Sequence, residues 1–168
     1  MFDQKIMAVS EELVKKASGL GVWISTAESC TGGLIAGALT SVAGASACVG
    51  AGFVTYSNEA KMDALHVTSK SLDLYGAVSA EVAGEMARGA QAQAKAHLAI
   101  AVTGIAGPGG GSAEKPVGLV YIAAAGGTSK DALRVKEYKF GDIGRSEVRR
   151  ETVLKALELG LEALNSQS

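Results

Sequence analysis

The residues best suited to chemistry open in the stretch AESCTGG, residues 27–33, where a serine, a cysteine and a threonine stand between an acid and two glycines. A β-rich run, VWIST (22–26), precedes it and a helical apolar pattern follows, so the stretch falls where a strand hands over to a helix. A helix start offers unpaired N–H groups and a partial positive charge. Ser29 in that field would be favoured as an alkoxide, and the same N–H groups could hold the oxyanion formed when it attacks a carbonyl. Gly32 and Gly33 would let a substrate come close to the backbone. The plain alternative is that Ser29 or Thr31 caps the helix and does nothing else. Cys30 is a rival nucleophile, but no histidine is near it in sequence, and such a cysteine is more often buried packing.

A serine needs a base. His66 and His97 are far apart and lack any motif, so a Ser-His-Asp triad has weak support. Lysine can serve once burial or a nearby cation removes its proton. TYSNEAK (55–61) ends a strand and enters a helix, presenting Tyr56, Asn58 and Lys61 together, although a surface lysine is the ordinary reading of Lys61. TGIAGPGGG (103–111) follows another strand, and its successive glycine N–H groups can form an anion-binding nest. It fits neither the dinucleotide fingerprint nor the P-loop. Arg145, at a helix start, can reach a phosphate or carboxylate bidentately, or sit in solvent beside Glu147 and Glu151.

Helical spacing over 5–19 ends at Gly19 and Gly21, the strand at 22–26 follows, and a helix is expected from near Thr31 through GGLIAGALTS. The small face of that helix, Gly33, Ala36, Gly37 and Thr40, calls for a close neighbour. A second strand is read in 48–57, short helices in NEAKMDAL (with Asn58 as cap) and TSKSLDLYG, and a longer helix after Ser79. HLAIAVTG (97–104) is a third strand; 117–125 and 132–140 read as a hairpin, and a last helix starts near Ser146. Early alternation and a late hairpin predict an α/β fold whose mixed, partly antiparallel sheet is covered by helices.

The chain has 168 residues, read as one domain spanning 1–168, and a net charge of −1. That balance favours neither nucleic acid nor an anionic membrane as partner, and no apolar run or leader-like N-terminus suggests insertion or export. Cys30 and Cys48 have no CxxC spacing, so reduced thiols in a cytoplasm are expected, and no metal site is foreseen. The small helix faces suit a homo-oligomer as well as internal packing.

TAESCTGG, GFVTYSNEAK, GAVSAEVAGEMARGA, VTGIAGPGGGSAEKPVGLVYIA and GRSEVRRETVLKAL, in this order, resemble the C-terminal domain of the competence/damage-inducible protein CinA, over roughly residues 5–164. That family includes stand-alone nicotinamide-nucleotide amidases. The resemblance implies a three-layer α/β/α sandwich without metal or cofactor and a small nucleotide as substrate. It implies hydrolysis of nicotinamide mononucleotide to nicotinate mononucleotide and ammonia, as in pyridine nucleotide salvage. It points to Ser29 as nucleophile and Lys61 as its base, with Tyr56 and Thr103 supporting. Cys30, Thr31, Gly32, Gly33 and Asn58 would border the substrate, and Gly104, Gly107, Gly109, Gly110 and Arg145 are the candidates for its ribose phosphate. Here Gly141-Asp142-Ile143-Gly144-Arg145 carries two residues more than the Gly-Asp-Arg of many relatives; Arg145 aligns through the following VRR, with Arg149 and Arg150 as the alternatives. The rival reading is a non-catalytic nucleotide-binding or regulatory domain.

Overall fold

A computed structural model describes residues 1–165. The elements follow in the order α1 (Gln4–Leu20), β1 (Ile24–Glu28), α2 (Leu34–Thr40), β2 (Val49–Val54), α3 (Asn58–Leu65), α4 (Ser69–Tyr75), α5 (Ala80–Ala94), β3 (Leu98–Gly104), β4 (Leu119–Gly126), β5 (Leu133–Lys139) and α6 (Arg145–Asn165). A 3-10 turn at Ala45–Ala47 lies between α2 and β2. The five strands form one mixed sheet in the order β2-β1-β3-β4-β5. β1 pairs parallel with β2 and with β3, whereas β3–β4 and β4–β5 are antiparallel, the latter being the expected hairpin.

The central strands β1, β3 and β4 are buried on both faces while the edge strands β2 and β5 stay partly or mostly exposed, and the alternation of side chains decides what covers each face. Ile24, Leu98, Ile100, Val102, Val120 and Ile122 project into a core shared with α1, α2 and α6. Ala27, Ala99, Ala101, Ala123 and Ala125 project the other way, against Val82, Ala83, Met86, Ala87 and Ala90 of α5 and Leu65 at the end of α3. One face is thus branched and bulky and the other almost all alanine, so α5 lies close to the sheet. The α/β/α sandwich follows from these two unlike faces.

Local caps fix where the helices begin. Asp3, Ser57, Thr68 and Ser79 accept from the N–H three residues on, at Ile6, Ala60, Ser71 and Val82. Ser79 is the cap foreseen from the sequence, but α3 is capped by Ser57, with Asn58 its first residue. The helix expected from Thr31 starts at Leu34, because residues 30–33 form a turn. Its small face does meet close neighbours. A Cβ placed on Gly37 would touch the Phe2 ring at 3.5 Å, and one on Gly52 would lie 3.1 Å from the Ala36 methyl. Among the described residues, no helix is long and apolar enough to cross a membrane.

Candidate active site

β1 runs next to both β2 and β3, but the chain leaves β1 for β2 on one side and returns to β3 on the other. Crevices open outside the carboxyl ends of parallel strands at such a reversal. The register makes this concrete. Glu28 is level with Val54 of β2 and Val102 of β3, so the next residues along, Ser29, Thr55 and Thr103, stand abreast at that end. The Ser29 N–H donates to the Val102 carbonyl at 3.1 Å and the Thr55 N–H to the Glu28 carbonyl at 2.9 Å.

α3 brings Lys61 to the same place. Its Nζ lies 3.0 Å from Ser29 Oγ, 2.8 Å from the Thr55 carbonyl and 3.4 Å from the Tyr56 carbonyl. Lys61 is only 1% exposed and Ser29 9%. Among the described residues no carboxylate pairs with the amine, and burial therefore pushes its pKa below the ordinary lysine range, with neighbouring Cys30 opposing the shift. A neutral amine has two N–H donors and one lone pair. In the structure Nζ donates to all three, the Ser29 hydroxyl and the two carbonyls; once deprotonated, it would keep two N–H donors for the carbonyls and turn its lone pair to the Ser29 hydroxyl. The helix can sit this close because α5 offers Gly89, where a Cβ would collide with the Leu65 carbonyl at the end of α3.

The pair opens into a cavity of about 290 Å³, near the lower end of small-molecule pockets (~300–1,000 Å³). Its lining joins Ser29, Cys30, Tyr56, Asn58, Lys61 and Thr103 to Gly104, Gly107, Gly109, Gly110 and Arg145. The turn after β1, the start of α3 and the glycine loop, which the sequence places far apart, therefore share one wall. Ala77, Val78, Ile105 and Ala106 complete it; as small or apolar loop residues they carry no chemical signature that sequence reading could detect. Thr31, Gly32 and Gly33 are not among the lining residues. A groove of about 870 Å³ lies at the opposite end of the sheet, beside Arg88, Lys95, His97 and Lys130. It is larger but holds no serine, threonine or cysteine, so chemistry and not volume singles out the smaller cavity.

The supporting hydroxyls are placed differently. Thr103 Oγ1 donates to the Ala77 carbonyl at 2.8 Å and ties the strand end to the segment before α5. Tyr56 meets Lys61 through its carbonyl; its phenol, on a residue 62% exposed, accepts from Arg145 at 3.1 Å. Arg145 also donates to the Gly107 carbonyl at 2.8 Å, so its guanidinium spans the cavity mouth. Arg149 instead donates to the Cys30 and Thr31 carbonyls, and Arg150 is held by Asp3, Glu147 and Glu151. Of the three arginines considered for the phosphate, Arg145 alone lines the cavity. Cys30 also lines it, yet burial pushes its thiol up to about 11, far from the thiolate a nucleophile requires.

The start of α2 holds a group that sequence reading missed. The carboxylate of Glu28, fully buried, accepts from the N–H groups of Gly33, Ile35 and Ala36 at 3.1, 3.0 and 2.9 Å and from the Thr31 hydroxyl at 2.6 Å. The N–H groups first assigned to an oxyanion at Gly33 and beyond are thus already taken. The N–H of Cys30 bonds to no other residue among the described ones; the group set against it is its own thiol.

Fold and cavity together define a doubly wound α/β protein with a hydroxyl–amine pair at its switch point. The chain belongs to the CinA C-terminal domain family, whose model matches residues 6–164. It is 45% identical over 161 residues to the nicotinamide-nucleotide amidohydrolase PncC of Enterobacter agglomerans, covering 96% of both chains. It is 54% identical over 138 residues to a CinA-like protein of Geotalea daltonii, of which it spans 32%. Among solved structures, the competence/damage inducible protein CihA of Agrobacterium tumefaciens superposes with a TM-score of 0.95 at 52% identity, covering 99% of each chain.

Proposed function

We propose that this chain is a nicotinamide-nucleotide amidohydrolase, converting nicotinamide mononucleotide and water to nicotinate mononucleotide and ammonia. The observation that carries the reading is the 3.0 Å contact between a buried, charge-unpaired lysine and a serine at the carboxyl end of β1. Likeness over nearly the whole length to a protein named for this activity supports the substrate.

The steps follow from the groups present. Lys61 Nζ takes the proton of Ser29 as Oγ attacks the carboxamide carbon, and the carbonyl oxygen becomes an oxyanion that the N–H of Cys30 can turn to from its own thiol. The C–N bond breaks as the ammonium of Lys61 protonates the departing nitrogen, leaving an ester on Ser29 and ammonia. Water attacks that ester and gives its proton to Lys61. The Ser29–carbonyl bond then breaks, and Lys61 returns the proton to Oγ. Arg145 and the N–H groups of the Gly107–Gly110 loop face the phosphate. Cys30 and Cys48, both free and buried, accord with work in a reducing compartment such as the cytoplasm.

The test is ammonia release from the nucleotide by purified protein, with product identified by chromatography. Calorimetric binding without turnover over hours would replace this reading with that of a nucleotide-binding domain.

A further inference from the structure

The turn that carries Ser29 is gripped from two sides. From within, the Glu28 carboxylate holds the Thr31 hydroxyl and the N–H groups of Gly33, Ile35 and Ala36. From without, Arg149 of α6 donates through Nε to the Cys30 carbonyl at 3.1 Å and through Nη2 to the Thr31 carbonyl at 3.2 Å. Between the two, Gly32 and Gly33 take φ of 61° and 100°, the left-handed conformations that let the chain fold back over the carboxylate. A Cβ on Gly32 would stand 3.5 Å from Arg149 Nη2. The Glu28 residue also reaches the base: its carbonyl accepts from Thr55 N–H, and the Thr55 carbonyl accepts from Lys61.

We infer that Glu28 and Arg149 are positioning residues, a clamp that holds the Ser29 turn in register with Lys61. A buried carboxylate is costly unless its acceptors are filled, and here four donors fill them. Neither side chain lines the cavity. Both act through Ser29, and Arg149 is thereby taken out of phosphate recognition. The inference rests on Ser29 being the nucleophile of the proposed reaction.

The test compares wild type with Glu28→Gln, Arg149→Met and the remote α4 cap variant Thr68→Ala. Two rates are read: steady-state deamidation of nicotinamide mononucleotide, and sulfonylation of Ser29 by a small sulfonyl fluoride, located by peptide mapping. Glu28→Gln puts an NH₂ group against N–H donors, and misplacing a reacting atom by an ångström can cost ~10²-fold. The expected result is a loss of that order in kcat and in labelling for Glu28→Gln, and of ~10-fold for Arg149→Met, with KM within about threefold of wild type. Thr68→Ala keeps both rates. A raised KM with unchanged kcat and labelling in Arg149→Met would overturn the clamp in favour of phosphate binding, as would wild-type rates in both variants. Should Glu28→Gln not fold, Arg149→Met decides alone. If wild type releases no ammonia but labelling still falls in the variants, the clamp stands and the amidase reading fails. A wild type that neither turns over nor is sulfonylated at Ser29 overturns both.

Discussion

Lys61 and Ser29 are 32 positions apart in the chain, yet Nζ of one lies 3.0 Å from Oγ of the other at the carboxyl ends of β1 and β2. The contact depends on three fits: the β1–β2 register, the Ser57 cap that starts α3, and the close seat of α3 on Gly89. Each can be disturbed separately, and the chemistry should respond in a different way to each.

Removing the hydroxyl should remove turnover and leave binding. Ser29→Ala is expected to lower kcat by on the order of 10³-fold or more. The nucleotide should still bind with near-wild-type affinity by calorimetry, because Arg145 and the glycine loop are untouched. Equal ammonia release from the two proteins would take Ser29 out of the mechanism.

Replacing the amine should separate activity from stability. Lys61→Met keeps the length and discards the polar end; activity should vanish, and Lys61→Arg should not restore it, since a guanidinium cannot act as a base at neutral pH. Stability should not fall in parallel, because a buried amine without a carboxylate partner pays for its own desolvation.

The pH dependence has a fixed sign. Burial lowers the Lys61 pKa in the folded chain, while the unfolded chain keeps an ordinary value near ~10.4. Between the lowered value and the ordinary one the unfolded state binds more protons, so this group's contribution to stability rises with pH across that window and is least favourable below it. The melting temperature of Lys61→Met relative to wild type should therefore decline as pH is raised. The kcat/KM of wild type should fall on acidification through the lowered pKa, and a flat profile down to pH 5 would contradict the role of the neutral amine.

The two cavity arginine contacts should show in KM. Arg145→Ala frees the Gly107 carbonyl and the Tyr56 phenol and removes one cation from the mouth. Loss of a charge-assisted phosphate contact is worth about 1.5–3 kcal/mol, which is roughly a 10- to 150-fold rise in KM for the nucleotide. The corresponding nucleoside, lacking the phosphate, should be handled alike by both proteins.

Much of this was readable in advance, and the parts that were not share a cause. The late hairpin and Ser79 cap were visible because their signals are local: period-two alternation and a hydroxyl three residues before its donor. The start of α2 was misplaced because its N–H groups are satisfied by Glu28, an acid at the end of the preceding strand and five to eight residues upstream of its donors. A cap read only at the N-cap position cannot find it. Ser57 preceded Asn58 with an equally good capping side chain, and the sequence offered no way to choose. Lys61 looked like a surface lysine because spacing says nothing about burial; only the resemblance to CinA sequences set it against Ser29.

The most direct test of the account is mass spectrometry of the protein quenched during turnover of nicotinamide mononucleotide. The account predicts that the peptide containing Ser29 gains the mass of the nucleotide acyl group, that the adduct disappears on chasing with buffer, and that Ser29→Ala never forms it. Steady ammonia release with no adduct on Ser29, or with the adduct on Cys30 instead, would contradict it.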